Sequence, residues 1–450
     1  MGALFERMCP INSGPLTQYI WHPFSQMKDL DEHPPIKVIG SEGIRLLGDD
    51  GNWYYDTSSS WWSNLHGHQH PYIKEAMRSQ MDQIQHVMLG GLTHEPGLNL
   101  ARRLIERTNH RLSRVFFSDN GSSSIEIALK MAVQYFLEQG YPQRNQFIHL
   151  ENSYHGDTGL ALSVGGSNIY KSKFSAIIRQ TIELPFSDHG TEPRDLVESR
   201  CIAALSEVLQ SRSQTVAALI LEPLLMGAGG MIMSSVGFLE AVDSLCKQYG
   251  VLLILDEVAV GFGRLGSFFA SDQATINPDF ICLSKGLTAG LLPMGATLCH
   301  EKIYEAFYGD YLSGKTFFHG HTFTGNPMAA AVANASLDLF DTGAPLAQVA
   351  VIEAILKAAM PRISALDHVA NLRVKGCVMA MEYLKSKSPY QRYPRSERRG
   401  FQLYLRGLKE GIMLRPLGDT IYLFLPLVTT QSELEDILQR MINTIQTDAV

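Results

Sequence analysis

The sequence predicts an α/β protein built on a mostly parallel sheet, and three observations predict it. Residues 251–255 and Phe280–Leu283 are unbroken apolar runs of strand length, the pattern of strands buried on both faces. Each run stops at polar residues, the first at Asp256 and the second at Ser284 and Lys285. Further strand-like runs at residues 114–117, 147–150 and Val216–Leu221 are interleaved with helical patterns, as in sheets with crossover helices.

In an open α/β sheet, ligands sit in the crevice at the carboxyl ends of the strands, so Asp256 and Lys285 are expected to face one crevice from neighbouring strands. A carboxylate and an amine in that position suit a cofactor with a basic ring nitrogen and an aldehyde, namely pyridoxal 5'-phosphate. Lysine forms the imine, and the carboxylate keeps the pyridine nitrogen protonated so that the ring serves as an electron sink. By themselves the two residues also fit a helix cap and a surface lysine.

Composition bounds the answer. With 450 residues, 45% hydrophobic and 18% charged, the chain has ordinary globular composition and room for a large core, so two or three domains are expected. A net charge of -7 with no long basic block argues against a nucleic-acid partner. The short cluster at residues 392–399 (RYPRSERR) reads as a solvated loop. No apolar run approaches the roughly 20 residues of a bilayer span. Residues 1–14 hold neither a signal-peptide core nor the serine or threonine of a myristoylation site, so a cytoplasmic protein is expected. Cys9, Cys201, Cys246, Cys282, Cys299 and Cys377 include no C-x-x-C pair, which argues against a disulfide framework and a zinc ribbon.

Taken in order, residues 43–56 (GIRLLGDDGNWYYD) read as a two-strand hairpin around an acidic turn, preceded by Trp21-His22-Pro23-Phe24. SSSWWSNLHGHQHP follows. Trp61 and Trp62 are costly to bury without partners for their indole N–H groups. His66, His68 and His70 alternate in a turn without acidic or cysteine companions, a poor metal set. Residues 71–86 and Glu95–Arg107 are helical by period. After the strand at 114–117, Asp119-Asn120-Gly121-Ser122-Ser123-Ser124 opens an amphipathic helix. Free N–H groups and the helix dipole there favour phosphate, although a serine cap alone explains part of it.

The strand at 147–150 leads to Tyr154 and His155, flat rings on which a planar cofactor can stack or which simply form a turn. Residues 163–200 show few periodic signals and read as loops and short pieces. Val216–Leu221 ends at Glu222-Pro223, and residues 238–249 are helical. Gly261-Phe262-Gly263-Arg264-Leu265-Gly266 matches the dinucleotide fingerprint, but it begins five residues past Asp256 and opens no clear helix, so a nicotinamide site is disfavoured. Beyond a strand at 294–299, His319-Gly320-His321-Thr322-Phe323-Thr324-Gly325-Asn326-Pro327 precedes a small-residue helix at 328–339. From about residue 340 the pattern becomes α+β, with strands at 373–381 and 421–425 and a helix at 401–410. Arg415 lies in the turn before the last strand, where its guanidinium suits either a carboxylate clamp or a surface ion pair.

LILDEVAVGFGRLG, LSKGL with Lys285 29 residues after Asp256, and GNPMAAAVANASL resemble the class III (omega-type) aminotransferases of pyridoxal phosphate fold type I. WHPF, SSWWSNLHGHQHP, HVMLGGLTHEP, NSYHGDTGLALSVGG, EPLLMGAGGM, HGHTFTGNP and LRPLGDTIYL resemble the branch that works in biotin synthesis, and the likeness runs along nearly the whole chain. It implies a large domain over residues 61–335 with a mostly parallel seven-stranded sheet. A smaller α+β domain is implied over residues 336–450, to which residues 1–60 contribute. It also implies that Lys285 holds the cofactor and moves the proton, that Asp256 pairs with the pyridine nitrogen and that Tyr154 stacks on the ring. Gly121 and Ser122 are implied to bind the phosphate, joined by His321 and Thr322 from the partner subunit of a homodimer. Phe24, Trp61, Trp62, Tyr154, Gly320 and Arg415 are implied to contact substrate, Arg415 taking the carboxylate. No metal is implied.

The implied reaction is amination of 7-keto-8-aminopelargonate to 7,8-diaminopelargonate, with S-adenosyl-L-methionine as the expected donor. Alternatives are lysine as donor, or another omega-aminotransferase or aminomutase. Two departures stand out. Phe24 occupies the place of a tyrosine whose hydroxyl is associated with donor and keto-acid recognition, a loss of about 1 kcal/mol for one hydrogen bond. His321 stands where proline is expected.

Overall fold

The computed structural model describes residues 19–447, apart from 167, 188, 189 and 191. The readings of residues 1–14 and of Cys9 lie outside the described residues.

Seven strands form the central sheet in the order Arg114–Ser118, Gly295–Cys299, Phe280–Leu283, Leu252–Asp256, Val216–Leu221, Gln146–Leu150, Ile182–Leu184. Gly295–Cys299 is antiparallel to both neighbours and the other pairs are parallel, as expected of the fold class. Side chains alternate along each strand. Leu253, Leu255, Ile281 and Leu283 therefore share one apolar cluster with Phe238, Leu239 and Val242 of helix Val236–Tyr249. Leu252, Ile254, Phe280 and Cys282 share another with Ile125, Leu129 and Ala132 of helix Gly121–Glu138. With helices on both faces, Leu252–Asp256 and Phe280–Leu283 are buried along their whole length, which is why these segments read as continuous apolar runs.

The helices that return the chain to the sheet are delimited by local chemistry. Ser235 caps Val236–Tyr249 by accepting the Phe238 N–H, and Gly250 ends it in the left-handed region at φ 63°. Asn120 caps Gly121–Glu138 through the Ser123 N–H at 2.9 Å, and Asn326 caps Pro327–Asp341 through the Ala329 N–H.

Several expectations are corrected. Residues 163–200, read as loops and short pieces, include the three-residue edge strand Ile182–Leu184, too short to show a period, but also the start of the long helix Arg194–Arg212. The hairpin at 43–56 is a three-stranded sheet, because Val38–Glu42 adds to Arg45–Gly48 and Trp53–Tyr55. The helix expected over 71–86 stops at Met81. The strand read at 373–381 is a hairpin of Val369–Lys375 and Val378–Lys387, with Thr420–Phe424 and Tyr390–Arg392 both pairing to the second. Its turn needs Gly376, at φ 55°, where a Cβ would fall 2.3 Å from the Arg264 carbonyl oxygen.

Residues 392–399 are not merely a solvated loop. Arg392 pairs with Glu382 and Arg398 with Asp29, and Arg399 lies over the Tyr393 ring. Helix Ala344–Ser364 is, by length and composition, apolar enough to cross a membrane, which counting unbroken apolar residues missed. It carries Glu353, Lys357 and Arg362, and it buries Val349, Ile352, Leu356 and Ile363 along one stripe next to Val369–Lys375.

Candidate active site

The strand ends converge on a cavity of about 480 Å³ whose wall includes Trp62, Gly121, Ser122, Tyr154, Asp256 and Lys285. Asp256 and Lys285 arrive from adjacent parallel strands, with Asp256 in register with Cys282. Asp256 is 4% exposed; its Oδ1 accepts the Val258 N–H at 3.0 Å and its Oδ2 lies 2.7 Å from His155 Nδ1. His155 therefore donates from Nδ1, and its buried Nε2 has no hydrogen-bond partner among the described residues.

Lys285 follows Ser284 at φ 41° and places Nζ 4.5 Å from the centroid of the Trp62 ring. Burial pushes its amine down to about 8, helped by the Arg264 charge and opposed by Asp256 and Glu222. At neutral pH it thus holds a neutral fraction that an ordinary lysine lacks.

Sequence reasoning placed Glu222 at a strand end but gave it no role. It closes the strand Val216–Leu221, accepts the Tyr154 N–H at 3.1 Å and the Gly227 N–H at 2.9 Å, and is pushed up to about 7 by burial. The carboxylate joins the segment carrying Tyr154 to the one beneath Trp62, where a Cβ on Gly227 would come 3.1 Å from the indole. The signal was present: asking what stands at the end of every predicted strand finds Glu222 as readily as Asp256, and gives His155 a role beyond a flat ring.

The cap formed by Asn120 leaves the N–H groups of Gly121 and Ser122 free of intrahelical acceptors at the start of an 18-residue helix. Ser122 Oγ lies 2.8 Å from Thr158 Oγ1, and Thr158 is tied to Glu126 at 2.6 Å. Gly156 crosses directly above; at φ 118° a Cβ there would lie 2.2 Å from Ser122 Oγ. These residues fit pyridoxal phosphate: anion-binding N–H groups with a hydroxyl at one end, a buried carboxylate for the ring nitrogen, and a depressed amine for the aldehyde. Gly156→Ala should therefore weaken cofactor binding about tenfold and destabilise the protein by about 1–3 kcal/mol, checked by equilibrium dialysis and thermal denaturation.

A second group of residues forms a wall outside that cavity. Phe24 meets Trp61 edge-on at 5.5 Å and Tyr170 at 5.7 Å, and Tyr170 meets Tyr154 at 5.4 Å. The Arg415 guanidinium lies 5.0 Å over the Trp61 ring and has no carboxylate partner among the described residues. Trp61 and Trp62 owe their positions to an unusual backbone. Ser59, Ser60, Trp61 and Trp62 have φ of 50°, 46°, 69° and 70°, a single left-handed turn closed by Trp62 N–H to the Ser58 carbonyl at 2.8 Å. Such a turn costs about 1–2 kcal/mol per residue, which surrounding contacts must offset.

Part of that compensation comes from the glycine-rich decoy. Arg264 is 1% exposed and donates to the carbonyls of Leu425 at 2.6 Å, Asn64 at 2.7 Å and Trp62 at 3.2 Å. The three alternating histidines go separate ways: His66 Nε2 lies 2.9 Å from Ser336 Oγ and His68 Nε2 3.0 Å from Asp56, while the His70 ring meets that of His66 edge-on. Gly320, His321 and Thr322 do not line this chain's own cavity. Their loop lies beside the phosphate-side turn, with His321 Nε2 4.0 Å from Asp119 Oδ1.

A family model of the class-III aminotransferases matches residues 27–445. The adenosylmethionine-8-amino-7-oxononanoate aminotransferase of Geobacter sulfurreducens is 39% identical over 436 residues, 95% of this chain and 96% of its own. That of Helicobacter pylori is 38% identical over 426 residues, 93% of this chain and 94% of its own. The crystal structure of the enzyme of that name from Methanocaldococcus jannaschii superposes with a TM-score of 0.90 at 34% identity, covering 96% of this chain and 97% of that one. An amine transaminase from an uncultivated Pseudomonas species, solved in its PLP-bound form, gives 0.90 at 30% identity, covering 95% and 98%.

Proposed function

Because this chain belongs to the class-III aminotransferases, we propose that it is a pyridoxal phosphate enzyme aminating 8-amino-7-oxononanoate to 7,8-diaminononanoate in biotin synthesis, with S-adenosyl-L-methionine as donor. The observation that carries this is likeness along 95% of the chain to relatives of that name, joined to a cavity with an acid, an amine and a helix N-terminus in place.

Pyridoxal phosphate, when bound, supplies the electron sink for charge left on the reacting carbon. The chain's own groups do the rest. Gly121 and Ser122 N–H groups hold the phosphate, and Asp256, aligned by His155 and Val258, holds the proton on the ring nitrogen. Lys285 would anchor the cofactor, and its Nζ would move one proton between the substrate's amine-bearing carbon and the carbon that carries the cofactor's aldehyde. Arg415, over the Trp61 ring, takes the substrate carboxylate, and the Trp62 ring keeps water from Nζ.

The enzyme works in the cytoplasm as a homodimer. His321 and Thr322 serve the partner's site, a reading supported by their absence from their own cavity wall. Residues 61–335 form the cofactor-binding domain and 336–450 the smaller one. Residues 1–60 join the latter, a division supported by the Tyr55 N–H to Gly411 carbonyl bond. A monomer with full activity in dilute solution would overturn the shared site.

The donor assay tests the substrate reading. With saturating keto acid, S-adenosyl-L-methionine should sustain turnover and lysine should not. Phe24 is the observation that favours the second reading, since the phenyl ring on Trp61 offers the usual donor no hydroxyl. Turnover with lysine alone overturns the donor; turnover with neither overturns the function.

A further inference from the structure

The left-handed Ser59–Trp62 turn is held at its head by a buried acid to which the reaction gives no part. Asp56 is 2% exposed. Its Oδ1 accepts the Ser60 backbone N–H at 2.8 Å and its Oδ2 accepts the Ser60 hydroxyl at 2.6 Å. His68 Nε2 lies 3.0 Å from that same Oδ2, and the Ser58 hydroxyl reaches Oδ1 at 3.3 Å. Both ends of this arrangement are tied to the turn that joins strands Val38–Glu42 and Arg45–Gly48: Asp56 N–H donates to the Ile44 carbonyl at 2.9 Å and His68 N–H to the Gly43 carbonyl at 2.6 Å.

Ser60 stands at φ 46°, a conformation that a serine does not prefer. Two donors of that one residue meet the two oxygens of one carboxylate, so the acid recognises the turn in this hand. Burial disfavours its charge, yet hydrogen bonds from His68 and Ser60 hold Asp56 below the usual carboxylate range, keeping it an acceptor. The next two residues are the tryptophans, and they serve different parts of the site. Trp62, 4% exposed, lies under Lys285 Nζ, whereas Trp61, 39% exposed, carries Arg415. A change in the hand of the turn moves both rings at once.

We propose that Asp56, oriented by His68, is a positioning residue that locks the left-handed turn and thereby sets the distance between the carboxylate clamp on Trp61 and the reacting centre over Trp62. The proposal rests on the assignment of Arg415 as that clamp. It also gives a use to one of the alternating histidines, which transamination itself does not need.

Asp56→Ala removes the lock while Arg264 and the Ser59 hydroxyl, which donates to the Phe424 carbonyl at 2.5 Å, still hold the far side of the turn. With saturating cofactor, this variant should raise KM for the keto acid about tenfold and change kcat less than about threefold. Asp56→Asn, which keeps an acceptor for the Ser60 N–H, should recover KM to within about threefold of the parent. The tryptophan bands of the near-UV circular dichroism of the cofactor-free protein should change in Asp56→Ala and return in Asp56→Asn.

A folded Asp56→Ala protein with unchanged KM and unchanged tryptophan bands overturns the proposal. So does a loss of kcat that only follows the folded fraction at constant KM. If Asp56→Ala does not fold, His68→Gln decides: a KM increase of about threefold at constant kcat supports the lock, and no change overturns it. Failure of the parent protein to use the keto acid would sink the functional reading instead, and the tryptophan bands would still report on the turn.

Discussion

Lys285→Ala should leave a folded protein whose transamination falls about 10³-fold or more. Two losses act together. The cofactor is no longer held covalently, and among the described residues no other amine lines the cavity to carry the proton between the substrate's amine-bearing carbon and the cofactor. Among the described residues Lys285 is the sole lysine in the cavity wall, and burial has already lowered its amine to about 8, so a neighbouring group cannot inherit the task without a similar environment. Stability should change little or rise, because removing a buried amine relieves its desolvation while the Trp62 face stays packed against Tyr422 and Phe424. Thermal denaturation of the cofactor-free protein and single-turnover kinetics measure the two effects separately. Retention of activity within tenfold of the parent would falsify the assignment.

Asp256→Asn should cost about 10²–10³-fold in kcat. The amide has nearly the same shape, but it cannot hold a proton on the ring nitrogen as a carboxylate does. It also breaks the local pattern. Oδ1 accepts from Val258 and Oδ2 from His155, so an amide that keeps the Val258 bond turns its NH₂ toward Nδ1 and requires His155 to move its proton to Nε2, which has no partner among the described residues. His155→Ala should act in the same direction and more weakly, since it leaves the charge and removes only its alignment. Steady-state kinetics at saturating cofactor, with cofactor content measured on each protein, separate lost chemistry from lost binding. Equal kcat in Asp256→Asn and the parent would remove the carboxylate from the mechanism.

The legible parts of this protein are those whose causes are local. The runs at 251–255 and Phe280–Leu283 reveal strands because every side chain on them is buried between two helical layers. Their terminal residues reveal the site because a charged group directly after such a run has to face the crevice. Asn120 to Ser124 reveals a helix start because capping acts over three residues. Short elements were harder to read. Ile182–Leu184 is a three-residue edge strand placed by its parallel pairing with Gln146–Leu150, and Val38–Glu42 carries Gly40 and Ser41, so neither shows its own period.

From the sequence alone came the sheet's central strands, the acid and amine at their ends, the phosphate-side loop and the family resemblance, all carried by residues close together along the chain. Tertiary structure alone decided the hand of the Ser59–Trp62 turn, the use of Arg264 as a clamp on carbonyls and the bridging of two segments by Glu222. Each of these depends on partners far along the chain: Ser59 with Phe424, Arg264 with Asn64 and Leu425, Tyr154 with Glu222. Hydrophobic period and capping report the surroundings of a few neighbouring residues. Backbone strain persists only where remote contacts offset it, and those contacts exist only once the sheet has brought the two ends of the chain together.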